Sequence, residues 1–321
     1  MNILITSAGK RVSLVKAFQK ELKALIPEGK VFAADCNTRL SGACYVADQA
    51  FQLPRVNEPH FLDELLKVCL DHDIKLIIPT IDTELLILSE NLDHFAQNGI
   101  TIIVSSLDFI KICRDKRQMS AFFTDHQIEI AKEYSKTDYK LPLFIKPLNG
   151  SRSVDTFIIL KEDDLTDYHF NKENLMFLEY LDHSEYEEFT CDLYYDKTST
   201  LKCVVPRKRI EVRDGEVNKG MTEKNMLVDY IKTHINNIEG ARGCLTAQFF
   251  KHKTNDKIYG IEINARFGGG FPLSYLAGAN YAKWLIEEYL LNKTITNFDA
   301  WEDKLLMLRY DHEVLVRDFH E

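Results

Sequence analysis

Near its C-terminal end the chain reads EINARFGGG over residues 262–270, and this stretch determines how the rest of the sequence is interpreted. The residues from Ile258 onward alternate as in a β-strand, which places Glu262, Asn264 and Arg266 on one face. These polar groups are costly to bury without partners, and together they suit Mg²⁺ that carries phosphate oxygens. The alternative is the polar face of a half-solvated strand. The three glycines favour the metal site, since they indicate close backbone approach or a mobile turn rather than a plain hairpin.

A second alternating strand precedes this one along the chain. It reads LTAQFF over residues 245–250 and carries Gln248, which lies 14 residues before Glu262. Two strands at this separation can pair as a hairpin, and pairing would bring their polar faces together. The sequence therefore predicts that the side chains of Gln248, Glu262 and Asn264 form one cluster.

Two lysines extend the pattern upstream. Lys116 lies at a predicted helix start, and Lys146 lies at the end of a predicted strand. Lys146 is followed by NGSRS over residues 149–153, a loop of small residues that can present backbone N–H groups and the Ser151 hydroxyl to a phosphate. A lone lysine usually belongs to the solvated surface, but this ordered series indicates a phosphate site.

The first 105 residues alternate short apolar runs with helical patterns. Strands are predicted over 1–7, 31–34, 76–79 and 101–105, and helices over 12–22, 60–70 and 84–91. This alternation predicts an α/β domain with a parallel, helix-covered sheet.

The sequence after residue 143 shows a different pattern of predicted elements. Short strands follow one another closely, and they are predicted over 143–146, 156–160, 175–180, 188–195, 201–209, 245–251 and 257–264. Long helices are predicted over 223–237 and 281–291. Strands in runs with helices set apart predict an α+β part with an antiparallel sheet.

Composition narrows the class of protein. The chain has 321 residues, a formal net charge of −9 and 45% hydrophobic residues, which is typical of a globular protein of about two domains that repels nucleic acid. Seven cysteines without a C-x-x-C pair argue against a disulfide framework or a thiolate zinc site. No window approaches the ~18 apolar residues of a membrane span. We expect a cytoplasmic protein that binds neither nucleic acid nor membrane.

The turn after the first strand could belong to a dinucleotide-binding site or to a Walker A loop. The dinucleotide fingerprint needs G-x-G-x-x-G, and only Gly9 is present here. Lys10 has no glycine five residues before it, so a Walker A loop is absent as well. Asp82 and Glu84 follow a predicted strand and could face a ligand or simply cap the next helix.

Taken together, these motifs resemble the ATP-grasp superfamily, most closely the ATP-binding half of the carbamoyl-phosphate synthase large subunit and stand-alone relatives such as the pyrrolysine-pathway lysine ligase. The resemblance covers essentially the whole chain. It implies a Rossmann-like domain over residues 1–108, then a two-subdomain α+β ATP-grasp with a small subdomain over 109–178 and a large one over 179–321. ATP and Mg²⁺, with Mn²⁺ as a substitute, are the implied cofactors.

The resemblance also implies a role for each motif residue. Lys116, Lys146 and Ser151 would contact the nucleotide phosphates, Glu179 and Leu181 would flank adenine in a hinge, and Glu188 would bind the ribose. Gln248, Glu262 and Asn264 would be metal ligands. Arg266 would clamp the phosphate as a catalytic group, and Arg209, with Arg207, would lie near the γ-phosphate or the acceptor carboxylate.

The sequence departs from the family pattern in two places. The segment between Leu181 and Glu188 is acidic, which leaves Glu185 and Glu187 open as ribose ligands. The loop after Lys146 has one glycine and carries Arg152, which leaves its closure over phosphates open. The chain also has one ATP-grasp unit, so it is not a complete carbamoyl-phosphate synthase.

The implied function is an ATP- and Mg²⁺-dependent ligase that phosphorylates a small-molecule carboxylate and joins it to an amine. The alternatives are a nucleotide-binding regulatory protein without turnover and a dinucleotide-dependent oxidoreductase. The acceptor pocket would include strand-end loops of the first domain, near residues 7–11, Asp35 and residues 82–84. A homodimer is expected by family habit.

Overall fold

The fold is taken from a computed structural model, which describes residues 1–148, 155–213 and 215–319. The first part is a parallel sheet in the order β3-β2-β1-β4-β5. Its strands are β1 (Asn2–Ile5), β2 (Val31–Asp35), β3 (Gln49–Gln52), β4 (Ile74–Ile78) and β5 (Thr101–Ile102). The helices in this part are α1 (Val12–Leu25), α2 (Gly42–Val46), α3 (Phe61–Asp71), α4 (Asp82–Glu90), α5 (Leu92–Gln97) and α6 (Leu107–Arg114).

Helices cover both faces of this sheet. Leu4 and Ile77 belong to one apolar cluster, whereas their neighbours Ile3 and Ile78 belong to another. Because successive residues of a strand point to opposite faces, the central strands are apolar throughout. The predicted α/β first part is confirmed.

The second part is a small antiparallel sheet in the order β7-β10-β8-β9. In chain order, the elements that follow α6 are α7 (Lys116–Asp125), β6 (Glu129–Ile130), β7 (Glu133–Tyr134), β8 (Leu143–Pro147), β9 (Phe157–Ile159), α8 (Asp167–Asn171) and β10 (Leu175–Glu179). Strand β6 belongs to the third sheet. Leu143, Ile145 and Phe177 are buried in a core that belongs to this sheet.

The third part is a sheet of seven strands in the order β16-β13-β12-β11-β14-β15-β6. It contains β11 (Tyr186–Tyr195), β12 (Leu201–Arg213), β13 (Glu216–Thr222), β14 (Gly243–His252), β15 (Ile258–Asn264) and β16 (Leu306–Leu308). The accompanying helices are α9 (Leu227–His234), α10 (Phe271–Leu276) and α11 (Tyr281–Leu285), the last continued by a π-helical turn over Ile286–Leu290. The predicted α+β character of this region is confirmed.

The first and third sheets share apolar cores. One cluster contains Leu4 and Ile77 together with Leu193 and Phe249, and the other joins Phe18 of α1 to Phe267 with ring centroids 6.0 Å apart. The loop after β15 is thereby packed against the first domain. Within the described ranges, no helix has the length and apolar character needed to cross a bilayer.

The two long helices predicted for the second half are shorter than expected. The predicted helix over 223–237 is present only as α9, because Asn225 Oδ1 accepts the Leu227 N–H at its start and Asn236 O accepts the Leu201 N–H beyond its end. The helix predicted over 281–291 is α-helical only as α11, and the π-helical turn over Ile286–Leu290 continues it. Strands β13 and β16 were missed, since EVNKGMT in β13 lacks a clear apolar alternation. The three domain boundaries stay predictions.

Each glycine of the GGG stretch packs against a side chain. A Cβ on Gly268 would lie 2.9 Å from Thr246 Oγ1, and one on Gly269 would lie 2.7 Å from Glu216 Cδ. A Cβ on Gly270 would overlap Arg207 Nη1 and lie 2.5 Å from Val217 Cγ1. The close backbone approach predicted from these glycines is therefore present.

We expect Gly270→Ala to destabilise the fold by about 1–3 kcal/mol, because the buried Arg207 guanidinium would have to move. Urea unfolding followed by circular dichroism measures the loss. Gly42→Ala is the matched control, since its Cβ would meet only ordinary contacts at 3.5 Å or more, and its effect should stay within about 0.5 kcal/mol. Equal stabilities of the two variants would contradict the packing argument.

Candidate active site

Strands β14 and β15 bring the predicted metal cluster together. Gln248 is directly opposite Glu262 in the antiparallel register, and Thr246 is opposite Asn264. Glu262 Oε1 accepts hydrogen bonds from Gln248 Nε2 at 3.0 Å and from Asn264 Nδ2 at 2.8 Å. All three side chains are half-buried. The structure thus places the three predicted ligands on one face, which we call the polar face of the seven-stranded sheet.

A β-bulge sets this arrangement. Gln248 is opposite Glu262 but the next residue, Phe249, is opposite Gly260, which leaves Ile261 as the extra residue. Gly260 consequently lies on the opposite face, where a Cβ would come 2.8 Å from the Phe123 ring. The strict alternation from Ile258 predicted from the sequence is wrong before Glu262 and correct for Glu262 and Asn264, whereas Arg266 lies beyond the end of β15.

The donor set fits a hard divalent cation that shares its shell with phosphate oxygens. Glu262 supplies one carboxylate, and Gln248 and Asn264 supply amide oxygens, which suits Mg²⁺ because that ion binds few protein groups. Across the described part of the chain, no three His, Cys, Asp or Glu side chains form a metal-binding group by themselves. This site therefore depends on amide and phosphate oxygens.

The two predicted lysines lie beside this cluster. Asp115 caps α7 by accepting the N–H groups of Arg117 and Gln118, which positions Lys116 at the helix start. Lys116 Nζ donates to Leu148 O at 3.1 Å, and Lys146 occupies β8 opposite Met176.

Electrostatics ties both ammonium groups to Glu262. Burial lowers the pKa of Lys116 and of Lys146, while the Glu262 carboxylate opposes that shift in each. Lys116 also lowers the pKa of Lys146 by charge repulsion. Two partly desolvated cations near one carboxylate favour an additional anion. Ser151 and its neighbours in residues 149–154 lie outside the described residues.

The structure separates the three acidic residues left open for the ribose. Glu188 and Thr190 share the polar face, because Thr190 is directly opposite Gln248. Glu187 points to the other face, where Lys208 Nζ lies 2.6 Å and Lys251 Nζ 3.4 Å from its carboxylate. Glu185 is exposed in the turn before β11. Of these three residues, the geometry therefore favours Glu188 as the candidate ribose ligand.

Arg209 belongs with Glu188 on the polar face. Its Nε lies 3.0 Å from Glu188 Oε1, in ion-pair contact without hydrogen-bond alignment, and its Nη1 donates to Thr190 Oγ1 at 3.2 Å. Burial raises the pKa of Glu188, opposed by Arg209 and raised further by the nearby Glu262. This places Glu188 and Arg209 within electrostatic reach of the metal cluster.

Arg207, predicted beside Arg209, is not in the open site. It is 1% exposed, and its Nε and Nη2 donate to Asp192 at 2.8 and 3.0 Å. Ser274 Oγ also donates to Asp192, at 2.5 Å. The Arg207–Asp192 ion pair therefore holds α10 and the glycine loop against the sheet.

The predicted hinge lies at the end of β10. Glu179 ends β10 and its N–H donates to Lys132 O, while Leu181 is buried. Phe250 was missed by the sequence analysis, yet it is opposite Glu188 and its ring centroid lies 5.3 Å from that of His183. Its position two residues after Gln248 is the alternation signal that could have identified it.

Arg266 connects this site to the first domain. Its Nε and Nη2 donate to Asp82 Oδ2 at 3.2 and 2.8 Å, across 184 residues of sequence. Arg114 Nη1 donates to the backbone oxygen of Asp82 at 2.6 Å. Asp82 thus faces the site, which was one of its two predicted roles.

Two other predicted acceptor residues are used internally. Glu84 is fully buried and accepts the N–H groups of Thr80 and Ile81 at 2.7 and 3.1 Å and the Ser7 hydroxyl at 2.9 Å, so it caps α4. Asp35 Oδ2 accepts the Gly9 N–H at 2.8 Å. Both carboxylates shape the loop after β1.

Comparisons with known proteins agree with this architecture. Residues 3–103 match the family model described as PylC-like, N-terminal domain, and residues 171–310 match the model described as ATP-grasp in the biosynthetic pathway with Ter operon. Through these two matches the chain resembles the ATP-grasp superfamily, with an N-terminal part similar to the PylC-like domain. No curated protein matches the chain.

Solved structures share the fold at low sequence identity. The biotin carboxylase domain of Hydrogenobacter thermophilus 2-oxoglutarate carboxylase has a TM-score of 0.69 at 14% identity, covering 95% of this chain and 73% of its own. L-amino acid ligase from Bacillus licheniformis has a TM-score of 0.66 at 14% identity, with coverages of 90% and 74%. Rhizobium etli pyruvate carboxylase has a TM-score of 0.65 at 15% identity. The match covers 87% of this chain but only 27% of the longer pyruvate carboxylase chain.

The buried Glu84 makes stability depend on pH. Burial raises its pKa above the ordinary value of 4.5, so its contribution to stability is full below that value and is lost as pH rises through the folded-state pKa. Glu84→Gln keeps an oxygen for both backbone N–H groups and removes the charge. Its free energy of unfolding relative to wild type should therefore be higher at pH 7.5 than at pH 4.5.

Urea unfolding at the two pH values measures this difference. Glu58→Gln is the control, since Glu58 is exposed and its carboxylate accepts the Arg55 N–H at 3.2 Å. A Glu84→Gln effect of the same size at both pH values would contradict the assignment of a buried carboxylate.

Proposed function

We propose that the protein is an ATP- and Mg²⁺-dependent ligase that joins a small-molecule carboxylate to an amine. One observation carries the proposal. Lys116 and Lys146 are desolvated beside Glu262, whose carboxylate is held between two amide side chains on the same sheet face. This arrangement suits a polyphosphate with a divalent cation.

The fold neighbours support the same chemistry. The biotin carboxylase domain from Hydrogenobacter thermophilus was solved with MgADP and bicarbonate, and the Bacillus licheniformis neighbour is an L-amino acid ligase. These ligands and activities belong to those proteins. Combined with the polar face of this chain, they favour nucleotide binding followed by ligation here.

Each residue has a defined task in the proposed reaction. Lys116 and Lys146 would bind and neutralise the phosphates, and Glu188 would accept hydrogen bonds from the ribose. Mg²⁺, when bound at Gln248, Glu262 and Asn264, would neutralise charge on the β- and γ-phosphates. Arg266 would stabilise the transferring phosphoryl group, assisted by Arg209. Catalysis of this kind needs positioning and electrostatics rather than a protein nucleophile.

The reaction itself would run in two steps. A carboxylate oxygen of the substrate attacks the γ-phosphorus of ATP, the bond to ADP breaks, and an acyl phosphate forms. The amine then attacks the acyl carbon, inorganic phosphate leaves, and a proton is lost from nitrogen. An amide, ADP and phosphate are the products.

The two alternatives differ in how they use the site. A regulatory protein without turnover would keep Mg²⁺-ATP binding and release no ADP. A dinucleotide-dependent oxidoreductase is disfavoured, because Asp35, at the end of β2, already accepts the Gly9 N–H. Cytoplasmic location and homodimer formation stay predictions, the latter testable by light scattering.

The direct test is a thermal-shift screen with Mg²⁺-ATP, Mg²⁺-ADP, NAD(H) and NADP(H), followed by ADP release with pairs of amino acids. A ligand that binds only the folded state raises its melting temperature. We expect a Mg²⁺-dependent shift with ATP and ADP and amine-dependent ADP release. A shift with the nicotinamides alone would overturn the proposal, and ATP binding without any ADP release would favour the regulatory protein.

Glu262→Gln should reduce ATP turnover by about 100-fold or more while the protein stays folded, because the metal cluster loses its only carboxylate. Glu129→Gln is the matched control, since Glu129 is exposed on the adjacent strand β6. Steady-state ADP release and the melting temperature are measured for both. A fully active Glu262→Gln variant would exclude Glu262 as a metal ligand.

Lys146→Met should weaken Mg²⁺-ATP binding about ten-fold or more, because one of the two phosphate-facing cations is removed. Isothermal titration calorimetry measures the affinity. Lys140→Met serves as the control, since Lys140 is exposed in the same part of the chain. Unchanged affinity in Lys146→Met would remove this lysine from the site.

A further inference from the structure

A small cleft that has no role in the reaction steps described above contains Arg11, whose charge interacts with that of Arg266. It lies between the loop after β1, the glycine loop before α10 and the segment after β16. Its lining includes Lys10, Arg11, Glu216, Gly269 and Arg309. Charged side chains therefore reach this small space from the loop after β1, from β13 and from the segment after β16.

Positive charge exceeds negative charge in this cleft. Glu216 Oε2 lies 3.3 Å from Lys10 Nζ and 3.2 Å from Arg309 Nη1, so one carboxylate holds two cations. Lys10 and Arg309 remain accessible, with side-chain exposures of 72% and 36%. With Arg11 included, the described residues that line the cleft carry three cations and one acid. A surplus of this kind attracts anions.

Arg11 is the strongest indication of a missing partner. Its guanidinium is half-buried, and its one hydrogen bond within the described part of the chain runs from Nη2 to Thr80 O at 3.3 Å. Burial and the nearby charges of Arg266 and Arg309 lower the pKa of Arg11, whereas Glu216 and Asp82 oppose the shift. A half-buried guanidinium with one hydrogen bond to the described residues keeps N–H groups that can bind an anionic ligand.

Arg11 relates this cleft to the candidate active site, because its guanidinium interacts electrostatically with Arg266 as well as with Glu216 and Arg309. Gly269 keeps the wall of the cleft thin, because a Cβ there would lie 2.9 Å from both Glu216 carboxylate oxygens. A substrate whose reacting carboxylate lies at Arg266 would therefore extend toward Lys10 and Arg309.

We infer that the carboxylate substrate is a dianion, with its reacting carboxylate at Arg266 and a second anionic group, a carboxylate or a phosphate, bound by Lys10, Arg11 and Arg309. This inference rests on the proposed function and narrows its substrate class. Lys10 and Arg309 are then specificity-determining residues. They select the second charge and take no part in phosphoryl transfer.

The test is calorimetric titration of the full chain saturated with a non-hydrolysable Mg²⁺-ATP analogue, which fills the phosphate site. The probes are glutarate, inorganic phosphate and pentanoate, the last being a monoanion of the same chain length as glutarate. We expect at least one of the two dianionic probes to bind ten-fold or more tightly than pentanoate. Tighter binding of glutarate would identify the second group as a carboxylate, and tighter binding of phosphate would identify it as a phosphate.

Variants locate the binding. Arg309→Gln and Lys10→Gln should each weaken the preferred dianion about ten-fold or more, Arg309→Lys should restore part of the affinity, and Arg55→Gln, an exposed arginine outside the cleft, should leave it unchanged. Melting temperatures confirm that the variants fold. Dianions that bind no better than pentanoate, or that bind equally to Arg309→Gln, would overturn the inference. Failure of the nucleotide analogue itself to bind would instead overturn the proposed function.

Discussion

The antiparallel register of β11, β14 and β15 is the constraint on which the site depends. It places Thr190 opposite Gln248 and Gln248 opposite Glu262, so that polar side chains of three strands share one face. A slip of one residue would turn Glu262 toward the apolar core, where Ile263 and Phe249 are buried. The bulge at Ile261 fixes the register, because it lets Gly260 pack on Phe123 while Glu262 stays on the polar face.

Charge around this face is organised before any ligand arrives. Lys116 and Lys146 are held near Glu262 at the cost of partial desolvation, which lowers the pKa of each. Arg209 is fixed by Glu188, and Arg266 by Asp82. Fixed cations in a partly buried site interact more strongly with phosphate than mobile surface lysines do, because no reorganisation is needed on binding. The same reasoning extends to Arg11 and the adjacent cleft.

The first domain contributes both structure and recognition. Glu84 and Asp35 stabilise the loop after β1. Glu84 accepts hydrogen bonds from Thr80 and Ser7, and Asp35 accepts one from Gly9. That loop in turn presents Lys10 and Arg11 to the cleft. A parallel sheet commonly presents its ligand-binding groups at the carboxyl ends of its strands, and here that edge meets the glycine loop of the third sheet.

The sequence by itself determined the α/β-then-α+β order, the pairing of Gln248 with Glu262 and the close approach of the three glycines, because alternation and glycine packing are local properties. Only the tertiary structure decided which of Glu187 and Glu188 lies on the polar face, since adjacent residues take opposite faces and the partner strand determines which face is polar. It also separated Arg207 from Arg209, which share a face but differ in burial, and it paired Arg266 with Asp82. Those outcomes depend on contacts between residues far apart in the chain, which no local pattern encodes.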